Sequence, residues 1–320
     1  MTKLQLSLGC IKYDRTRALF DGDLLPEGID LITKEIVDHD SFWLIPIRYK
    51  IFDVAEMPLT NYIIGLDEGH TDLIALPIFP SRSFRHSTLY INKHADIRTP
   101  KDLEGKRIGI GNYFGSTTLW ARGILQDYYH VDLNQINWVT KNKVPLEKVP
   151  NSIRLQIVDS EQNLEKLLEA GEIDAYISER PPASYKRTDH IVRLFENYKQ
   201  DEIDYYQQTK VFPIRHVIVV KREIYEKNAW IAQSLYKLFE LAKRKANPDS
   251  MFDGHSKFML PFIQHAIAET KRVFGEDCWP YGLDENSFTL SAFTKYCYDQ
   301  GYTSKPYTAE EIFASHVLSI

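Results

Sequence analysis

The sequence predicts a two-lobed α/β protein, and three observations carry that expectation. A chain of 320 residues, 43% of them hydrophobic, is long enough for two cores at roughly 100–200 residues per domain. Apolar runs of strand length alternate with helical patterns, as α/β layers require. A short internal echo points the same way. Phe52-Asp53-Val54-Ala55-Glu56 and Ile173-Asp174-Ala175-Tyr176-Ile177 each follow a helix with apolar-Asp-apolar and then present polar groups, as two lobes of similar topology would.

The elements follow in order. Lys3 to Leu8 alternates like a half-buried strand, and Gly9 breaks it before the polar cluster Tyr13-Asp14-Arg15-Thr16-Arg17. Strands are expected at Ile29 to Ile36, Phe52 to Met57, Leu73 to Phe79 and Ser87 to Asn92, with helices around Ser41 to Tyr49 and Thr60 to Leu66. From Asp102-Leu103-Glu104-Gly105-Lys106-Arg107 a turn leads into a strand that starts a new core. Next comes a helix with Ser116 or Thr117 as its N-cap. A polar loop from about Lys141 to Asn151, a strand at Ile153 to Val158 and a helix at Asn163 to Ala170 follow, with Gly171 ending the helix before the strand Ile173 to Ser178. Val217 to Val220 reads as a strand. Glu223 to Lys245 reads as one amphipathic helix with Trp230, Leu235, Leu238, Phe239 and Ala242 on its buried side. The remainder looks helical and is expected to pack on the first lobe. These readings put residues 1–95 and 215–320 in lobe 1 and 96–214 in lobe 2, with crossovers near 93–99 and 205–216 and a ligand cleft between the lobes.

Composition narrows the function. Lys+Arg 39 against Asp+Glu 44 gives a net charge of −5, without the basic footprint that nucleic-acid binding needs. No apolar run approaches the roughly 18 residues of a membrane span. Cys10, Cys278 and Cys297 are odd in number and form no C-x-x-C pair, which suits a reducing compartment. Leu6-Ser7-Leu8-Gly9-Cys10 lacks the apolar stretch a leader would need, so a cytoplasmic location is expected. An aromatic content of 12% suits either core packing or the walls of a site for a flat small molecule. Homo-oligomerisation is left open.

The turn phrase at 102–109 and Gly171-Glu172-Ile173-Asp174-Ala175 resemble the type II periplasmic-binding-protein fold. More specific phrases run along most of the chain. They are Tyr13-Asp14-Arg15-Thr16 with Leu25-Pro26-Glu27-Gly28-Ile29-Asp30-Leu31, Phe79-Pro80-Ser81-Arg82-Ser83-Phe84-Arg85-His86, Gly123-Ile124-Leu125-Gln126-Asp127, Arg180-Pro181-Pro182, Phe212-Pro213-Ile214-Arg215-His216 and Trp279-Pro280-Tyr281-Gly282-Leu283. Together they resemble the 4,5-dihydroxyphthalate decarboxylase family. The resemblance implies a binding-protein fold housing a carboxy-lyase, with 4,5-dihydroxyphthalate giving 3,4-dihydroxybenzoate and CO2.

In open α/β sheets ligands sit beyond the carboxyl ends of the strands. Arg15, Arg82, Arg85 and Arg180 each follow an expected strand end, where guanidinium groups match carboxylates, although structural ion pairs are the plain alternative. Ser116 and Thr117 could add hydroxyl and backbone N–H groups to an anion or simply cap their helix. Tyr13, Phe84, Tyr113 and Phe212 are candidates to stack on an aromatic ligand or to pack the lobes. For proton transfer, His86 and His216 stand beside strand ends and titrate near neutrality, with Asp14 and Glu56 as orienting groups or acids. No H-x-H, H-E-x-x-H, P-loop or dinucleotide motif is present, so no metal and no cofactor are expected. A metal site would have to assemble from distant residues such as His86, His216 and Glu56. Two other functions stay open: a non-catalytic receptor for a small organic anion, and a decarboxylase of another aromatic acid.

Overall fold

A computed structural model of the protein describes residues 3–36, 51–246 and 259–314. The helix expected around Ser41 to Tyr49 lies outside the described residues. The chain divides into two compact units.

The first unit comprises Met1–Arg82, Ile214–Leu290 and Thr308–Ile320. Its strands are β1 (Leu4–Cys10), β2 (Ile29–Glu35), β3 (Val54–Pro58) and β4 (Leu73–Arg82), joined by the late strand β11 (Ile214–Lys221). They form one sheet in the order β2-β1-β3-β11-β4. β1 runs parallel to β2 and β3, whereas β11 is antiparallel to both β3 and β4. The carboxyl ends of β1, β3 and β4 therefore lie at one edge of the sheet, where β11 begins. β4 and β11 are buried along most of their length, as central strands should be, and their apolar runs (Leu73 to Phe79, Val217 to Val220) supply much of the core. The helix Ile231–Lys245 covers this core with Ile231, Leu235, Leu238, Phe239 and Ala242.

The second unit comprises Ser83–Pro213 and Ser291–Tyr307. Its six strands are β5 (Leu89–Asn92), β6 (Arg107–Ile110), β7 (Asn137–Thr140), β8 (Arg154–Ile157), β9 (Ala175–Ile177) and β10 (Ile191–Arg193), in the order β10-β5-β9-β6-β7-β8. β6 to β9 are mutually parallel, and β5 is antiparallel to its neighbours β9 and β10. Trp138, Ile108, Ile110, Leu103 and Tyr113 pack one core cluster. The helix Leu164–Ala170 starts where the Asn163 carboxamide accepts from the Glu165 N–H at 2.9 Å. It stops at Gly171, whose φ of +74 carries the left-handed turn expected there.

Several expectations change. The chain leaves the first sheet after Arg82 rather than near residue 95, because β5 already pairs with β9 and β10. It returns at Ile214, where β11 begins. The stretch expected as a single helix from Glu223 to Lys245 is two, Arg222–Lys227 and Ile231–Lys245. Asn228 closes the first, and Trp230, as the N-cap of the second, is 47% exposed rather than buried. The C-terminal segment does not belong wholly to the first unit. Residues Ser291–Tyr307 group with the second, where the Tyr296 ring fills the space a side chain at Gly123 would occupy and packs edge-on against Trp120 at 5.7 Å. The helix Ser116–Asp127 takes Gly115, not Ser116 or Thr117, as its N-cap.

Candidate active site

In the first unit the polar groups gather at the sheet edge where β1, β3 and β4 end. Glu56 on β3 and His216 on β11 form a diagonal cross-strand pair, since Ile218 stands opposite Glu56 and His216 opposite Pro58. The β4–β11 register shifts on both sides of His216, an irregularity of the kind that re-aims a side chain. The outcome is a contact of 2.6 Å between His216 Nδ1 and Glu56 Oε1, both side chains being buried. The same oxygen accepts from the Tyr13 hydroxyl at 2.7 Å, while Glu56 Oε2 accepts from the Ile11 N–H at 2.9 Å. Burial by itself would raise the Glu56 carboxyl pKa. The hydrogen bond and charge of His216, with the Ile11 and Tyr13 donors, more than reverse that and hold it below the usual value. Burial and the adjacent Glu56 carboxylate push the Tyr13 phenol well above its ordinary value, so Tyr13 remains a donor. An ionised carboxylate only accepts hydrogen bonds, so His216 Nδ1 carries the proton that faces Glu56.

Tyr13 is held by local chain chemistry. It is the residue before the helix Asp14–Phe20, and its N–H donates to the Thr16 hydroxyl at 2.8 Å. That hydroxyl donates in turn to the Ile11 carbonyl at 2.8 Å. Arg15, the second residue of the helix, lies between two aromatic faces, 4.1 Å from the Tyr13 ring centroid and 4.2 Å from that of Trp279. Its Nε donates to the Pro80 carbonyl at 2.6 Å and its Nη1 to Asp14 at 2.9 Å. Trp279 is itself pinned, its Nε1–H donating to the Phe79 carbonyl at 2.9 Å.

Other expected site residues of this unit have different surroundings. The Asp14 side chain is 62% exposed and bonds only to its neighbour Arg15 among the contacts described. Arg82 is buried and fastens the loop before the helix Ser287–Asp299, donating to the Pro280 carbonyl at 2.7 Å and to the Asn286 carboxamide.

The second unit holds the remaining expected residues. Arg85 is buried and pairs with Glu179 at 3.8 Å, and the Thr117 hydroxyl donates to the same carboxylate. Ser116 presents a buried hydroxyl oxygen with no hydrogen-bond partner among the described residues. Arg180 is exposed, Phe212 stacks on Phe84 at 4.7 Å, and Tyr113 is a core residue beneath the Arg122 guanidinium at 3.8 Å. His86 is 1% exposed. It sits among the rings of Phe195, Tyr205 and Tyr129 at 5.0, 5.4 and 5.7 Å, and neither ring nitrogen has a hydrogen-bond partner among the described residues. Burial drives its pKa down to about 4.

Sequence reasoning missed Trp279 as the second face on Arg15, and it missed Glu202. Burial raises the Glu202 carboxyl to about 7, against the lowering effect of its Ser87 hydrogen bond and of Arg85. The Trp279-Pro280-Tyr281-Gly282 phrase was the available signal for the first. No local signal marked the second. Among the described residues no three His, Cys, Asp or Glu side chains come together as a metal site, and no helix is long and apolar enough to cross a membrane.

The architecture defines a periplasmic-binding-protein-like α/β fold. A putative-sulfonate-transporter binding protein, SsuA, from Methylobacillus flagellatus matches it with a TM-score of 0.62 at 13% identity, over 99% of this chain and 93% of that one. More specifically, the chain belongs to the 4,5-dihydroxyphthalate decarboxylase family. It is 32% identical to the 4,5-dihydroxyphthalate decarboxylase of Comamonas testosteroni over 98% of this chain and 97% of that one. It is 31% identical to the Pseudomonas putida enzyme of the same name, over 58% of this chain and 74% of that one. No family model matches the chain.

Proposed function

We propose that this protein is a carboxy-lyase that converts 4,5-dihydroxyphthalate to 3,4-dihydroxybenzoate and CO2. Family membership supports the substrate class, and the observation that carries the chemistry is the buried Glu56–His216 pair at the strand ends. Loss of CO2 from an aromatic ring requires a proton at the carbon that bears the carboxylate, and a phenolate para to that carbon supplies the electron density. His216 Nε2, backed by the Glu56 carboxylate through Nδ1, takes the proton of the para hydroxyl. The oxygen lone pair moves into the ring, and the carboxylate-bearing carbon gains a proton. The carbon–carboxylate bond then breaks, its electron pair restores the aromatic ring, and His216 returns its proton to the oxygen. One proton is drawn from solvent per CO2 released.

Arg15 binds the carboxylate that stays, its guanidinium plane already fixed by Tyr13, Trp279 and the Pro80 carbonyl. Equally tight binding of the departing carboxylate would oppose its loss. The test is incubation of the purified protein with 4,5-dihydroxyphthalate and, separately, with phthalate, following CO2 and ring absorbance. The first is decarboxylated and the second, which lacks a para hydroxyl, is bound but unchanged. Binding of both without CO2 from either overturns the enzyme reading in favour of a receptor.

A further inference from the structure

We propose that Tyr13 couples carboxylate capture at Arg15 to the protonation of the Glu56–His216 pair, because one aromatic side chain belongs to both networks. The inference rests on the proposed roles of Arg15 and His216 and deepens them. The ring face of Tyr13 lies 4.1 Å from the Arg15 guanidinium, while its hydroxyl donates to Glu56 Oε1 at 2.7 Å, the oxygen that His216 Nδ1 contacts at 2.6 Å. One side chain thus reaches both the guanidinium and the carboxylate, and the reach is set by the turn before the helix Asp14–Phe20.

The coupling has a definite sign. When a carboxylate binds Arg15, its negative charge offsets that of the guanidinium and weakens the pull of the cation on the ring face. A phenol facing a less electron-withdrawing cation is a weaker hydrogen-bond donor. Glu56 then retains more negative charge toward His216, and the imidazole becomes a better base at the moment the substrate arrives. Trp279 serves as the built-in contrast. It lies on the opposite face of Arg15, at 4.2 Å, and its hydrogen bond runs to the Phe79 carbonyl, away from Glu56.

Two variants separate the roles. Tyr13→Phe keeps the ring against Arg15 and deletes the bond to Glu56. Affinity for phthalate and 4,5-dihydroxyphthalate should stay within about 3-fold, while kcat on the acidic limb falls roughly 10-fold, because His216 in the variant is the stronger base and stays protonated to higher pH. The acidic limb of the kcat/KM profile should move up by about 1 pH unit, the size expected from one lost hydrogen bond to a charged group. Trp279→Leu should do the reverse, raising KM roughly 10-fold with the pH profile in place.

A second readout does not require turnover. Calorimetry of phthalate binding in buffers of different ionisation enthalpy should show proton uptake by the wild type, and Tyr13→Phe should abolish it while binding persists. Proton uptake without CO2 release would remove the decarboxylase reading and leave the coupling standing. Turnover with the same pH profile and proton uptake in Tyr13→Phe as in wild type overturns the coupling alone. Failure of wild type to bind either diacid overturns both.

Discussion

The two units each carry an Arg-His pair beside a strand, Arg85-His86 and Arg215-His216, and the surroundings of the two histidines are opposite. His216 meets an ionised carboxylate at 2.6 Å on a sheet whose register is locally irregular. His86 lies in a short turn, His86–Thr88, walled by Phe195, Tyr205 and Tyr129, with no hydrogen bond to either nitrogen among the described residues. One environment can hold an imidazolium and hand a proton on. The other excludes the charged form, so its histidine behaves as a buried aromatic ring. The same dipeptide therefore stands in two environments, and what decides between them is the partner that the tertiary register brings across from it.

The largest effect that could break this comparison is on catalysis. His216→Ala is expected to lower kcat about 1,000-fold and Glu56→Gln about 100-fold, within the range for a positioned acid–base group. His86→Phe should remain within about 3-fold of wild type, by steady-state decarboxylation assay. Equal losses at His86 and His216 would erase the distinction between the two units.

The next effect is on stability. His86 has a folded pKa of about 4 against an ordinary 6.5. Between those values the unfolded chain binds the extra proton, so the contribution of neutral His86 is fully present above pH 6.5 and is lost as pH falls toward 4. Urea unfolding at pH 7 and pH 4.5 should show wild type losing about 2–3 kcal/mol more than His86→Phe over that interval. Parallel losses in the two proteins would mean that His86 finds a charge partner when the fold is acidified.

The smallest effect is expected at Asp14. Its carboxylate is mostly solvated, and its bond to Arg15 is worth little in water. Asp14→Asn should leave kcat within about 2-fold and raise KM by a similar factor. A much larger kcat loss would move Asp14 into the proton path.

Much of the fold was legible because its strands are short apolar runs with plain punctuation. Leu73 to Phe79, Val217 to Val220 and the Asn163-to-Gly171 helix stand where periodicity and capping residues put them. The exchange of segments between units was not legible. Nothing local in Ser291–Tyr307 says that Tyr296 will fill the gap at Gly123. The candidate site divides in the same way. Glu56, His216 and Arg15 were visible as strand-end polar residues, but their partnership depends on which strands become neighbours. Arg82 and Tyr113 carried the same local signals and became structural, because Pro280 and Asn286 meet Arg82, and the Gln300 carbonyl meets the Tyr113 hydroxyl, through long-range contacts.

The most direct test is single-turnover CO2 release from 4,5-dihydroxyphthalate by wild type and His216→Ala, with equilibrium binding measured on the same samples. The account predicts binding within a few-fold of wild type and CO2 release slower by about 1,000-fold. CO2 release at the wild-type rate, or a loss explained entirely by weaker binding, would contradict it.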